Sequence, residues 1–318
     1  MKNVPWTEID ITDIRGFKIG NAEYPDGATG CTVILADPAA CTGLDVRGGG
    51  PASRESALLN PLAANEAVNA VVLSGGSAFG LDSAGGVVRY LEEHQIGFPT
   101  AVGVVPIVCA SALFDLGVHT ASIRPDSALG YQACMNLDNF RQGNYGAGTG
   151  ASCGKGMGPA HAMKSGLGAY ALAVGDLQVG AIVAANPLGN IYDPDTGEAL
   201  AGICAADGSI IDSEAVLAEK TAVNTFISNT TLGVILTNAA FNKTQLCKIA
   251  GMAHDGYARA IRPVHTMDDG DSIYAMSSAQ VKADINVVGV LAARVMARAI
   301  ANSARYAEDA YGLPACHR

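Results

Sequence analysis

A threonine that follows an asparagine at the entrance to an apolar, strand-like run is the position in this chain with the most chemistry open to it. The segment reads Ser228-Asn229-Thr230-Thr231-Leu232-Gly233-Val234-Ile235-Leu236-Thr237-Asn238. Taken alone, a threonine at a strand start is ordinary. The alternative is that its hydroxyl attacks the carbonyl of Asn229, turning the amide into an ester that water then cleaves. The chain would divide into residues 1–229 and 230–318. Thr230 would then carry nucleophile and base together. A free α-amine has a reference pKa of about 7.7–8.0 and accepts the hydroxyl proton without a separate histidine. β-Branching also stiffens χ1 and holds the hydroxyl in its attack geometry.

Other familiar chemistries fail on spacing. Around Ser77 the sequence GGSAFG places Phe79 where a nucleophile elbow needs glycine. Around Lys155 the sequence GTGASCGKG has Thr149 and Gly156 where a P-loop needs Gly and Ser/Thr. Gly146, Gly148 and Ala151 match a dinucleotide fingerprint, but no apolar strand precedes them. The histidines at 94, 119, 161, 254, 265 and 317 lack metal-ligand spacing and read as structural or exposed residues. Eight scattered cysteines contain no C-x-x-C pair, which fits reduced, mostly buried thiols in a cytoplasmic protein. The acidic N-terminal stretch lacks the apolar core of an export signal. A net charge of −10 argues against nucleic-acid and anionic-membrane partners, which need a basic face.

The elements that must position this chemistry are built from small residues. The chain is 49% hydrophobic but only 6% aromatic and holds 38 glycines, so backbones can approach closely. Apolar runs of strand length fall at Cys31–Ala36, Ala70–Ser74, Gly168–Val174, Val179–Ala185, Thr230–Thr237 and Ile273–Ser277, with a hairpin at Gly175-Asp176. Helical periodicity follows Gly75-Gly76-Ser77, with Phe79, Val87, Val88 and Leu91 for its buried face. A second helix starts at Asn242 with a capping-box partner at Gln245 and a stripe of Leu246, Ile249, Ala250, Ala253 and Tyr257. A third runs from Asp284 to Tyr306. The uncharged stretch Ile96–Phe114 is broken by Pro99 and Pro106 and reads as strands and turns rather than a membrane span. Asn190–Gly208 reads as a surface excursion. Strands and helices with apolar faces predict a layered α/β or α+β sandwich, and no linker divides residues 1–318 into domains.

Seven ordered blocks carry a resemblance: GATGCTVILAD, GLDVRGGGPASRESALLNP, LSGGSAFGLDSAGGVVRYLEE, GNYGAGTGASCGK, AANPLGNIYDPDTGEALAG, SNTTLGVILTNAAFNK and MAHDGYARAIRPVHTMDDGDSIYAMS. Over about residues 27–278 the chain resembles the peptidase family of L-aminopeptidase/D-esterases, β-peptidyl aminopeptidases and nylon-oligomer hydrolases. The resemblance implies a four-layer αββα sandwich of the aminopeptidase/ornithine acetyltransferase type and an N-terminal-nucleophile hydrolase that cleaves itself. It also implies an oligomer of processed heterodimers, a small amide or peptide substrate, and no cofactor or metal. By that likeness Thr230 matches the nucleophile and Asn229 the residue before the cut. Asn186 matches the side-chain amide of the oxyanion hole, which would stabilise charge that appears in the transition state. Lys155 matches a lysine of the nylon-hydrolase branch that orients the nucleophile or favours its deprotonated form. Asp269 and Asp271 match that branch's paired acids; two apart on an extended segment, they share a side and could both reach Thr230.

The chain departs from the aminopeptidase branch, which has a serine nucleophile, a Ser…Glu pair and an oxyanion tyrosine. Here stand Thr230, Asp…Asp, and Cys109 and Ser111 where the tyrosine is sought. That points to the nylon-oligomer branch. Two other readings stay open on the sequence: an acyltransferase working through the same acyl-enzyme, and a non-catalytic scaffold that remains uncut.

Overall fold

The computed structural model describes residues 5–219 and 229–316; Ser228 and His317 lie outside them. Its centre is a ten-stranded mixed sheet. The strands are β1 (Thr7–Ile9), β2 (Phe17–Tyr24), β3 (Thr29–Val46), β4 (Ala52–Arg54), β5 (Ala67–Ser74), β6 (Val108–Ala112), β7 (Leu167–Val174), β8 (Leu177–Ala184), β9 (Leu232–Ala239) and β10 (Ser272–Val281). Their order is β1-β7-β8-β9-β10-β3-β5-β6-β4, with β2 on the first half of β3. The pairs β9/β10 and β5/β6 are parallel and the rest antiparallel. All six expected runs lie in or overlap these strands, and β7 turns into β8 at Gly175-Asp176.

The long strand β3 joins the two halves of the sheet. Cys31–Leu35 pairs with β5, and Cys41–Val46 pairs with β10, with a register shift between Leu35 and Ala40. The halves face each other across one core: Ile19, Ile34 and Val71 on one side meet Ile182, Leu232, Val234 and Tyr274 on the other. Period-two alternation sends the neighbouring residues outward. Val183, Ile235 and Ala275 pack under helices α4 (Lys243–Ala260) and α5 (Ile285–Arg305). Val33, Ala70 and Val72 pack under α1 (Ser83–Glu93) and α2 (Ser127–Met135). The layers run helix, strand, strand, helix, as the family resemblance implied. A short helix, α3 (Ser213–Glu219), lies outside these layers.

Local signals explain the helices. Asn242 and Gln245 form the reciprocal capping box at the start of α4, and its stripe from Leu246 to Tyr257 is fully buried. Asp284 caps α5, whose Val288, Ala292, Val295, Met296 and Ala299 are buried. The small-residue core is visible where β3 meets α4: a Cβ on Gly43 would lie 2.2 Å from the Cys247 nitrogen, so only glycine admits the helix so close.

Two expectations need correction. Phe79 is 59% exposed, because the chain makes a 3-10 turn over Ser77–Asp82 before α1 begins, and Arg124 covers the ring at 3.9 Å. Nor is Asn190–Gly208 a mere surface excursion. Asn190–Tyr192 pairs with Ala199–Ala201 and Ile261–Arg262, burying Ile191, Leu200 and Ala201, and only the turns at 195–198 and 206–208 are exposed.

Candidate active site

The sheet brings the sequence-predicted residues together at one end of β8, β9 and β10. Thr230 stands just before β9, not within it, at φ +118°. For a β-branched residue such a backbone costs of order 1–3 kcal/mol and persists only where its surroundings fix it. Those surroundings are specific. The Asn229 N–H donates to the Asp268 carbonyl at 3.0 Å, and the Asn229 carbonyl accepts the Phe114 N–H at 3.2 Å. On the other side, the Thr231 N–H donates to Asp271 Oδ1 at 2.7 Å. Asn229 and Thr230 are both buried.

The Thr230 hydroxyl accepts the Gly270 N–H at 3.0 Å. Gly270 is the residue between the two acids, and it has to be glycine. A Cβ there would sit 2.7 Å from Thr230 Oγ1 and 2.7 Å from the Gly50 carbonyl oxygen.

The carboxylates themselves turn to other partners in the uncut chain. Asp269 accepts the Thr266 hydroxyl at 2.6 Å, the Thr266 N–H at 3.1 Å and the Leu188 N–H at 3.4 Å. Asp271 divides its oxygens between the Thr231 N–H and the His265 ring nitrogen Nδ1, the latter at 2.8 Å. Both are buried. Burial, and next the negative charge of Asp271, push the Asp269 carboxyl up to about 6.

Lys155 and Asn186 hold each other beside the Phe114 loop. Asn186 follows the end of β8, and its Oδ1 accepts Lys155 Nζ at 2.7 Å and the Ser152 N–H at 3.1 Å. Lys155 Nζ also donates to the Asn186 carbonyl at 3.1 Å. Burial drives the Lys155 ammonium down to about 7 against the opposing pull of Asp269. The side-chain N–H of Asn186 donates to the Phe114 carbonyl at 2.9 Å. In the uncut chain it is therefore the Phe114 main-chain N–H that meets the Asn229 carbonyl, and Asn186 orders the Phe114 loop from its carbonyl side. Asp115 anchors the same loop, accepting the Thr29 hydroxyl at 2.6 Å and the Gly76 N–H at 2.7 Å, and burial raises it to about 6.

Sequence reasoning missed Phe114, Thr231, Gly270, Tyr257 and the site position of His265. Main-chain donors such as Phe114 have no residue-type signature. His265 could have been found from its place in VHTMDDGDS, since a turn returning over six residues brings it back to Asp271. Of the other described histidines, His94 and His119 are exposed, His161 is half-buried and His254 is buried. Among the described residues, no three His, Cys, Asp or Glu side chains gather as a metal site requires.

Beside Lys155 opens a cavity of about 420 Å³, walled by Phe114, Val118, Pro159, Tyr311 and Leu313, with Ser152 and Lys155 at its polar end. A larger cleft of about 740 Å³ near Glu8, Arg141 and Arg298 includes none of the site residues.

The model of peptidase family S58 matches residues 10–315. The chain belongs to peptidase family S58. Its S58 relatives include an uncharacterized aminopeptidase of Mycobacterium tuberculosis, 36% identical over 96% of this chain and 96% of that one. A 6-aminohexanoate-oligomer endohydrolase of Paenarthrobacter ureafaciens is 31% identical over 85% of this chain and 75% of that one. Among solved structures, the L-aminopeptidase D-Ala-esterase/amidase of Ochrobactrum anthropi, described as a variant of the Ntn-hydrolase fold, superposes with TM-score 0.68 at 18% identity. It covers 94% of this chain and 86% of that one. A Burkholderia sp. β-aminopeptidase superposes with TM-score 0.67 at 19% identity over 96% and 89%. The chain is thus a family S58 hydrolase on an Ntn-hydrolase-like α+β fold.

Proposed function

We propose that this S58 hydrolase cleaves itself between Asn229 and Thr230 and then hydrolyses amides with Thr230 as nucleophile. One observation carries the reading: the Asn229 carbonyl rests on a main-chain N–H while the adjacent Thr230 is held at φ +118° with its hydroxyl fixed by Gly270. In the first step Thr230 Oγ1 bonds to the Asn229 carbonyl carbon. The Phe114 N–H steadies the oxygen that takes up charge, and the C–N bond breaks as the hydroxyl proton passes to its nitrogen, leaving an ester and a free Thr230 amine. Water then splits the ester, returning the hydroxyl and leaving a carboxylate on Asn229. The break frees Thr230 from its strained backbone setting, which favours the forward direction.

In the mature enzyme the Thr230 amine takes the hydroxyl proton as the substrate carbonyl is attacked, and gives it to the leaving amine. Lys155, which exchanges a proton near neutrality, and the Asn186 amide stand at the oxyanion side. Asp269 and Asp271, which hold Thr266, Thr231 and His265 in the uncut chain, are assigned to the new amine once the bond is broken. The 420 Å³ cavity receives the substrate group next to the scissile bond, and its walls of Val118, Pro159 and Leu313 favour an apolar one. The relatives' printed names, aminopeptidase and aminohexanoate-oligomer endohydrolase, supply the substrate classes to try first. Intact mass of the purified chain tests the first step: two fragments with a new N-terminus at Thr230 are expected, and Thr230→Ala stays whole. A substrate panel on the cut enzyme, with an added amine, separates hydrolysis from acyl transfer. Fragments that persist in Thr230→Ala would end the proposal.

A further inference from the structure

His265 lies outside the set of groups assigned above to bond making and breaking, yet it is built into the nucleophile's support. Asp271 touches Thr231 through Oδ1, and its Oδ2 is occupied by His265, through Nδ1 at 2.8 Å and the main-chain N–H at 3.3 Å. Oδ2 already accepts the His265 main-chain N–H, so the ring contact is assigned as Nδ1–H donating to the same oxygen. Nε2 is buried with no hydrogen-bond partner among the described residues.

The ring is fixed on its faces as well. It stacks on Tyr257 with centroids 5.7 Å apart and meets His254 edge-on at 4.7 Å. Tyr257 in turn donates its hydroxyl to the Thr231 carbonyl at 3.2 Å. Thr231 is therefore gripped at its N–H by Asp271 and at its carbonyl by Tyr257, and His265 packs against both. His265 itself sits at φ +57°, a left-handed conformation uncommon outside glycine but more open to histidine than to most residues. The Thr231 carbonyl also accepts the Ser272 N–H at 3.3 Å, so the first hydrogen bond of the β9/β10 ladder holds Thr231 alongside these contacts.

We propose that His265 is a positioning residue for the nucleophile. By anchoring Asp271 against the Thr231 amide, it keeps the next residue back, Thr230, in the backbone geometry that presents its hydroxyl to the Asn229 carbonyl. This rests on Thr230 being the nucleophile, and the readout is self-cleavage, which needs no substrate.

The test follows the rate of fragment appearance by intact mass in the full chain carrying His265→Phe, His265→Leu or His265→Asn. Wild type and Thr230→Ala run alongside. Cutting in wild type and none in Thr230→Ala secures the underlying reading, and failure there is a failure of that reading alone. Folding is compared between uncut proteins, Thr230→Ala against the double variants that add each His265 change. Phe or Leu removes the donor and is expected to slow cleavage about 10- to 100-fold, the scale of a small misplacement of reacting groups, with melting midpoints kept within a few degrees. Asn offers an N–H near the place of Nδ1 and is expected to return the rate to within about 3-fold of wild type. Leu serves as the donor-free variant if the phenyl ring is not accommodated. Wild-type cleavage in Phe and Leu overturns the proposal, as does an Asn variant as slow as a stably folded donor-free one.

Discussion

Lys155 and Lys164 share burial and electrostatics, and they differ in what holds them. Burial drives both ammonium groups down to about 7. Lys164 donates to the carbonyls of Gly148 at 2.9 Å, Ala151 at 3.0 Å and Ser165. An ammonium has three hydrogens, so three main-chain acceptors saturate it. Lys243 is held the same way, by the carbonyls of Leu58, Ala63 and Asn65. Lys155 finds two acceptors among the described residues, both on Asn186, at the wall of a cavity. A lowered lysine pKa therefore does not mark a functional group in this fold. What sets Lys155 apart is a donor left over beside open space.

The sharpest way to break that contrast is to remove each charge. Lys155→Met is expected to lower self-cleavage and amide turnover by about 10²–10⁴-fold, the usual weight of a proton-exchanging group, while leaving a folded chain. Lys164→Met leaves three buried carbonyls without donors and is expected to destabilise by about 3 kcal/mol. The protein that remains folded keeps near-wild-type turnover. Denaturant melts and turnover measured on the same preparations decide it. A Lys164→Met enzyme that is stable but inactive would erase the distinction.

Gly270 gives the next largest effect. Gly270→Ala touches no charged group, yet its Cβ would press on both Thr230 Oγ1 and the Gly50 carbonyl. Displacing the hydroxyl by a fraction of an ångström is expected to slow self-cleavage about 10²-fold, and the clash with the Gly50 main chain to cost about 1–3 kcal/mol of stability. Rates followed by intact mass test it, and unchanged cutting would mean that the Gly270 contact does not orient the nucleophile.

What the sequence made legible follows from where its signals are local. The capping box at Asn242 and Gln245, the stripe from Leu246 to Tyr257 and the apolar run Thr230–Thr237 depend on neighbours in the chain, and the structure has the first two as read and a strand over Leu232–Ala239 for the third. The ordered blocks brought Thr230, Asn186, Lys155, Asp269 and Asp271 into one reading, and the fold gathers them at one end of the sheet. The reach of the two acids to Thr230 was not legible, because spacing says which side a carboxylate takes and not which donor it chooses. Asp271 chose the Thr231 amide and His265, and the Gly270 main chain took the hydroxyl. Phe79 left its expected buried face for a related reason: a 3-10 turn ahead of α1 shifts the phase that helical periodicity assumes.

The smallest effect bears on the same two lysines through pH. Lys164 has an ordinary pKa of 10.5 and a folded value of about 7. Above pH 7 the folded protein has given up this proton while the unfolded chain still holds it, so unfolding takes up a proton and stability rises with pH. Below 7 both states are charged and the contribution has been lost. Lys155 obeys the same sign. From pH 7 to 8.5 each lysine is expected to add on the order of 1–2 kcal/mol. The window closes there because burial pushes up the thiols of Cys31, Cys41, Cys109, Cys134 and Cys153, all ordinarily near 9, and they work the other way once unfolded thiols ionise. Urea midpoints of the uncut Thr230→Ala chain across this window should rise, and adding Lys164→Met should roughly halve the slope. Turnover of cut wild-type enzyme should rise through pH 7 if the neutral Lys155 is the working form, and Lys164→Met should leave that limb in place. A slope that Lys164→Met leaves untouched, or a turnover limb that it removes, would mean the two lysines had been assigned the wrong way round.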